Sequence, residues 1–109
     1  MTKEETAAQT KTSNTIFHLA RPITFDGEEI KSLTFDFESL GGNELMTCAR
    51  QAQSMDPNEV PMMRALSINY QVVVAARAAG VTPDLIQALK AKDFTQVTQM
   101  ASNFLVLQE

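Results

Sequence analysis

The apolar periodicity of the chain changes once, at the Gly41-Gly42 pair. Before the pair, Leu33, Phe35 and Phe37 alternate with polar residues, a period of two that is typical of a half-buried strand. After it, apolar residues recur at intervals of three and four, which is the period of a helix. Strands and helices therefore occupy separate parts of the chain, and the sequence predicts an α+β fold.

Residues 15–38 are predicted to form a β-hairpin. Asp26-Gly27 is a favoured pair for its turn, because both central positions of a two-residue type I′ turn need a positive φ. A two-stranded hairpin is marginally stable alone. We therefore expect the helices to cover its apolar face, or another copy of the chain to extend the sheet.

The first strand of this hairpin contains Pro22, which has no N–H to donate to the ladder. An uninterrupted ladder from the turn would pair His18 with Phe35 and would place Phe17 on the face away from the apolar residues of the second strand. One extra residue would reverse that orientation. A bulge or break is therefore predicted around Arg21-Pro22, unless both faces of the hairpin are covered.

Helices are predicted for the rest of the folded part, over 43–107. Gly80 is the expected left-handed terminator of the longest helix, and Thr82-Pro83 is a start signal for the next one. The predicted helices run from 44 to 53 with Asn43 as cap, from a start between 57 and 61 to 79, from 83 over a short stretch, and from Asp93 almost to the C-terminus.

The first 14 residues are predicted to be a disordered tail. They contain no apolar side chain larger than alanine after Met1, so they cannot bury enough surface to offset the entropy of ordering. A single folded α+β domain is accordingly expected over 15–109.

Composition argues against several classes of function. The net charge is −4, and nine Lys and Arg residues are scattered over the chain, which does not favour nucleic-acid binding. The single Cys48 and the single His18 cannot form a zinc site, and neither has partners spaced for catalysis. No apolar run is long enough for a membrane span. We expect a cytoplasmic protein that is not an enzyme, holds no metal or cofactor, and works by binding.

Methionines and amphipathic stripes supply the candidate binding residues. Five of the six methionines follow the glycine pair, and methionine is common both as a core gap-filler and at adaptable binding surfaces. Met62 and Met63 are adjacent, so they cannot both face a narrow core stripe. The predicted partner-binding residues are Met62, Met63, Leu66, Tyr70, Phe94, Val97, Phe104 and Leu105.

The segment from Ala76 to Ile86 also has the spacing of a DNA-binding helix-turn-helix, with Gly80 as the turn glycine. Asp84 would then lie at the helix end that approaches phosphates, which argues against DNA binding. Any helical hairpin with a glycine turn shows the same pattern.

The order of several short motifs resembles a known family. Leu19, Arg21-Pro22-Ile23, Gly27, Ile30 and Leu33-Thr34-Phe35 are similar to the opening of the tail assembly chaperones of contractile-tailed, Mu-like bacteriophages and prophages. The ending is similar too, and the resemblance covers about residues 15–107. Its motifs there are Gly80-Val81-Thr82, Leu85, Leu89, Asp93, Phe94, Val97 and Phe104-Leu105.

This resemblance implies a chaperone that binds the helical, aggregation-prone tape measure protein in the bacterial cytoplasm and leaves before the virion matures. It also implies a longer product made by ribosomal slippage, for which codons of Asn103-Phe104-Leu105 would permit a slippery run, and through which the tail tube protein would be a partner. The alternatives are a small helix-turn-helix regulator and a permanent tail or connector subunit.

Overall fold

The computed structural model describes residues 14–59 and 66–107, and in them an antiparallel hairpin is followed by four helices. The predicted α+β fold is confirmed. A single 3₁₀ turn (Phe37–Ser39) joins the hairpin to the helical part. The strands are β1 (Asn14–Phe25) and β2 (Glu28–Asp36), and the helices are α1 (Gly42–Met55), α2 (Ile68–Ala79), α3 (Pro83–Ala88) and α4 (Ala91–Leu107).

The turn of the hairpin has the predicted two-residue form. Asp26 and Gly27 have φ angles of 52° and 78°, and Phe25 pairs with Glu28 across them. β1 begins at Asn14, the last residue of the predicted tail, and the rest of that tail lies outside the described residues.

The predicted break near Pro22 is confirmed. His18 pairs with Ser32, whereas the ladder next to the turn pairs Ile23 with Ile30. Four residues of β1 (19–22) therefore lie opposite one residue of β2 (31). The excess of three is odd, so it reverses the faces of β1, and Phe17 pairs with Leu33 on the apolar face.

The start of α1 differs from its prediction. The helix begins at Gly42 with Gly41 as the N-cap, so Asn43 lies inside the helix instead of capping it. The Gly41 N–H donates to Glu44 Oε1 at 2.9 Å. A carboxylate three residues into the helix therefore does the capping, which Asn43 was expected to do from outside.

The start of α2 also differs from its prediction. This helix begins at Ile68, and a start between 57 and 61 was wrong. Ser67 has extended backbone angles, and its Oγ accepts the N–H of Tyr70 while donating to Glu59 Oε1. These bonds fix Ser67 as the N-cap, because its side chain satisfies an N–H of the first turn.

The core is centred on α2, which contacts α1, α3, α4 and β2. Seven of its twelve residues are buried, which is why it shows no clear polar face. Gly80 ends the helix in the left-handed conformation, with a φ of 71°, as predicted. The α2 residues in the core are Tyr70, Val72, Val73, Val74, Ala75, Ala76 and Ala78.

α4 is tied to β1 by a buried carboxylate. The helix begins at Ala91, two residues before the predicted start at Asp93. Asp93 is 1% exposed, and its two carboxylate oxygens accept the N–H groups of Ala20 and Arg21, each at 3.0 Å. Both N–H groups lie where pairing with β2 is interrupted. The side chain therefore satisfies donors that the irregular strand does not pair in the ladder.

The other end of α4 meets the end of the hairpin through a stack of rings. Phe35 stacks on Phe37 with centroids 5.6 Å apart, and Phe37 stacks on Phe104 at 5.2 Å. Asp93 and Phe104 thus attach α4 to the hairpin at two places.

Candidate partner-binding surface

The single histidine and the single cysteine of the chain do not form a catalytic arrangement with each other. His18 is exposed on β1. Cys48 is fully buried on α1, and burial raises the pKa of its thiol. A thiol held in the protonated form is a poor nucleophile and metal ligand. Within 14–59 and 66–107, no group of three or more His, Cys, Asp or Glu residues could hold a metal ion.

The structure places the predicted partner-binding residues in different environments. Tyr70 on α2 and Val97 on α4 are 6% and 0% exposed and pack in the core. Leu66, in contrast, is 59% exposed just before α2. Met62 and Met63 lie outside the described residues. Of this group, Leu66 is the described residue whose apolar surface is open to a partner.

The other three predicted residues on α4 are intermediate in their exposure to solvent. Phe94, Phe104 and Leu105 are each half-buried and pack against the core. One face of the Phe104 ring lies against Phe37, so this side chain joins α4 to the hairpin. The position of Phe104 indicates a structural contact, and only its outer part is free for a partner.

Sequence reasoning missed four exposed apolar side chains. Ile68 is 49% exposed at the first position of α2, two residues after Leu66. It was missed because position 68 lies on the opposite side of a helix from the predicted stripe through Leu66 and Tyr70. The others are Ile16 on β1 and Met46 on α1, both 60% exposed, and Val106 on α4, 47% exposed.

Leu66 and Ile68 flank a well-ordered polar anchor. The buried Ser67 lies between them, 2% exposed and hydrogen-bonded to Glu59 at 2.6 Å. Asn69 also donates to Glu59 Oε1, at 3.2 Å. Because their neighbours are fixed in this way, the two apolar side chains are held outward. We call Leu66 and Ile68 the apolar pair.

An open groove lies between α1, the start of α2 and α3. Its wider section has a volume of about 540 Å³, and a narrower section of about 210 Å³ shares Gln51, Thr82 and Pro83 with it. The wider section is completed by Met55, Asn69, Asp84 and Gln87, and the narrower one by Val73, Ala76, Arg77 and Val81. We call these two sections together the helical groove.

The groove includes the segment considered for DNA binding. Ala76 and Ile86 are 1% and 0% exposed and serve the core. α3 has six residues, and its first turn carries Asp84. These are the features of a packed helical hairpin with an acidic end.

Membrane insertion has no support in the described part of the chain, where every helix is too short or too polar to cross a bilayer. Within 14–59 and 66–107, the small α+β protein thus combines exposed apolar side chains with an open groove.

Comparison with known proteins identifies the family. The chain matches the family described as "Phage tail assembly chaperone proteins, E, or 41 or 14" over residues 16–106. This match covers nearly all of the hairpin and of the four helices, and the chain belongs to that family. Membership in a chaperone family implies a role without catalysis. No curated protein sequence and no solved structure matches the chain.

Proposed function

We propose that this tail assembly chaperone transiently binds helical, aggregation-prone segments of the tape measure protein during tail morphogenesis. It acts in the cytoplasm of the bacterial host and leaves before the virion matures. Family membership supports the assembly role. The observation that carries the binding role is the apolar pair, Leu66 and Ile68, which are 59% and 49% exposed.

The physical basis of this proposal is burial of apolar surface on a partner. An amphipathic helix docks its apolar face through side chains at intervals of three and four residues, and exposed leucine and isoleucine are suitable anchors. Each such side chain contributes about 1.5–3 kcal/mol when it is fully buried, and less when it is half-exposed at the start. Two anchors and few charges give a contact that forms and dissociates readily.

Co-expression with the tape measure protein of the same phage tests the proposal. The chain is expected to increase the soluble yield of the tape measure protein. Replacing the apolar pair, with Leu66→Asp and Ile68→Asp together, is expected to remove most of that increase, because two carboxylates cannot be buried against an apolar helix face. An unchanged soluble yield with the unaltered chain contradicts the proposal.

Met46→Asp is the matched control for this experiment. Met46 is as exposed as Leu66 but lies on α1, towards the end opposite Met55. The variant is expected to keep the full increase in soluble tape measure protein. If it lowers the yield as much as the double variant does, the apolar pair is not the binding surface.

A further inference from the structure

We infer that the outer edge of β2 pairs with the same edge of a second copy of this chain, in an antiparallel ladder centred on Ile30. Within 14–59 and 66–107, the sheet has two strands, so each strand has one edge that no other strand covers. An unpaired edge presents N–H and C=O groups that can bond to another strand. The two edges of this sheet differ, and the differences favour β2.

The outer edge of β1 is interrupted in its middle. Pro22 has no N–H to donate, and the N–H groups of Ala20 and Arg21 already bond to the carboxylate of Asp93. The helices α3 and α4 also contact this strand. A second chain would therefore meet a broken row of donors along β1.

β2 contains no proline, and the part of it next to the turn is open. The ladder begins with Glu28 beside the two-residue turn, and its alternation directs the backbone N–H and C=O groups of Glu29 and Lys31 away from β1. The side chains of Glu29 and Lys31 are 60% and 73% exposed. We call residues 28–32 the open edge.

The rest of β2 is closed to a second strand, and this determines the register. Leu33 and Phe35 are the next two residues whose backbone groups point outward, and they are 6% and 0% exposed. The central helix α2 contacts β2. A second strand therefore has access to the open edge, and the middle residue of the open edge is Ile30.

The charges on the open edge are complementary in this register. An antiparallel pair centred on Ile30 places Glu29 of each copy opposite Lys31 of the other. Within one copy these two residues share a face, and Lys31 Nζ lies 3.9 Å from Glu29 Oε1. Two copies therefore form a square of four charges with alternating signs, and opposite charges across a ladder stabilise it.

The contact is small, so the pairing is expected to be weak and reversible. A ladder over the open edge buries less than the roughly 1,200 Å² of a stable interface, so the chain is expected to be monomeric when dilute. Leu66 and Ile68 take no part in the ladder, and the inference is therefore independent of the proposed function.

Sedimentation equilibrium of the full chain measures the association. The weight-average mass is expected to rise above that of one chain as the protein concentration increases from about 10 μM to about 1 mM. A chain that stays monomeric at about 1 mM overturns the inference and leaves the open edge to a strand of another protein.

Charge reversals test whether the open edge forms the contact. Glu29→Lys and Lys31→Glu each place like charges opposite one another, and each is expected to weaken self-association by at least about fivefold. Glu29→Lys also makes the net charge of −4 less negative, which reduces the general repulsion between copies, so a weaker association points to the specific pairs. The double variant with both substitutions restores the alternating signs and is expected to recover the affinity.

Lys92→Glu is the matched control for Lys31→Glu. Lys92 is an exposed lysine on α4, and its reversal changes the net charge of the chain by the same amount. This variant is expected to associate almost as well as the unaltered chain. Equal effects of Lys92→Glu and Lys31→Glu, or a double variant as weak as the single ones, overturn the inference.

Disulfide cross-linking tests the register. In a ladder centred on Ile30, Glu28 lies opposite Ser32 of the second copy, with Cα atoms about 4.5 Å apart, a distance that a disulfide spans. When Glu28→Cys and Ser32→Cys chains are mixed and oxidised, the mixed dimer is expected in at least about fivefold excess over either homodimer. Cys48 does not interfere, because it is fully buried. If Ser32→Cys cross-links mainly to itself, the ladder is centred on Ser32 and the inferred pairing is overturned.

Discussion

The carboxylate of Asp93 accepts hydrogen bonds from the backbone N–H groups of Ala20 and Arg21, which lie 73 and 72 residues earlier in the chain. A buried charge is destabilising unless it is hydrogen-bonded, and buried backbone N–H groups likewise need acceptors. The carboxylate of Asp93 and the two N–H groups therefore satisfy each other's need for a hydrogen-bond partner. Removing the carboxylate leaves both N–H groups without this acceptor, so Asp93 fixes both the position of α4 and the irregular path of β1.

Asp93→Ala is expected to lower the free energy of unfolding by about 2–4 kcal/mol, because two partly buried N–H groups lose a charged acceptor. Urea unfolding measures this loss. The matched control is Glu28→Ala, which removes an exposed carboxylate from β2 and is expected to change stability by less than about 0.5 kcal/mol. Equal stabilities of the two variants would contradict the role assigned to Asp93.

Glu44 is the second carboxylate with a defined structural role. Hydrogen bonds from the Gly41 N–H and from its own backbone N–H lower its pKa, and Arg77 acts in the same direction. The stabilising effect of a depressed carboxylate pKa is present above the pKa of the unfolded chain, about 4.3 for glutamate. It is lost as the pH falls through the lower pKa of the folded state.

Glu44→Gln is therefore expected to be less stable than the unaltered chain at about pH 6, and the difference is expected to be smaller at about pH 3. Urea midpoints of both proteins at the two pH values measure this, since other carboxylates contribute equally to each protein. A difference that is the same at both pH values would show that the charge of Glu44 has no part in capping α1.

At the scale of elements, local signals predicted the hairpin better than they predicted the helix starts. The turn at Asp26-Gly27 and the break near Pro22 follow from φ preferences and from a missing N–H, which are properties of single residues. The start of α2 depends on a hydrogen bond between Ser67 and Glu59. That bond joins two residues that are eight positions apart and outside the helices, so no periodic pattern reveals it.

The stack of Phe35, Phe37 and Phe104 holds the end of α4 against the end of the hairpin. Phe104→Ala is expected to lower the free energy of unfolding by about 1–3 kcal/mol, because the half-buried ring loses its contact with Phe37. Val106→Ala, at a 47% exposed position of the same helix, is the control and is expected to change stability much less. Thermal unfolding of both variants checks the prediction, and equal losses would mean that the stack does not anchor α4.

At the scale of the whole molecule, composition and periodicity were sufficient for the fold class but not for the binding surface. Two amphipathic stripes were predicted, one containing Tyr70 and the other Val97, and both of these residues lie in the core. An apolar stripe marks the side of a helix that is buried. The pattern is the same whether the rest of the chain or a partner buries that side. Ile68 and the groove depend on how α1, α2 and α3 pack together, which no single segment encodes.

The link between Asp93 and the bulge also bears on the order of events during synthesis. A ribosome releases β1 first and α4 last, so Ala20 and Arg21 emerge long before their acceptor exists. Until then the hairpin lacks the contact that holds its irregular path, and closing a loop of this length adds an entropic barrier. The final architecture is therefore completed only when the C-terminal helix has left the ribosome. A member of a chaperone family thus passes through a stage in which its own hairpin lacks a stabilising contact.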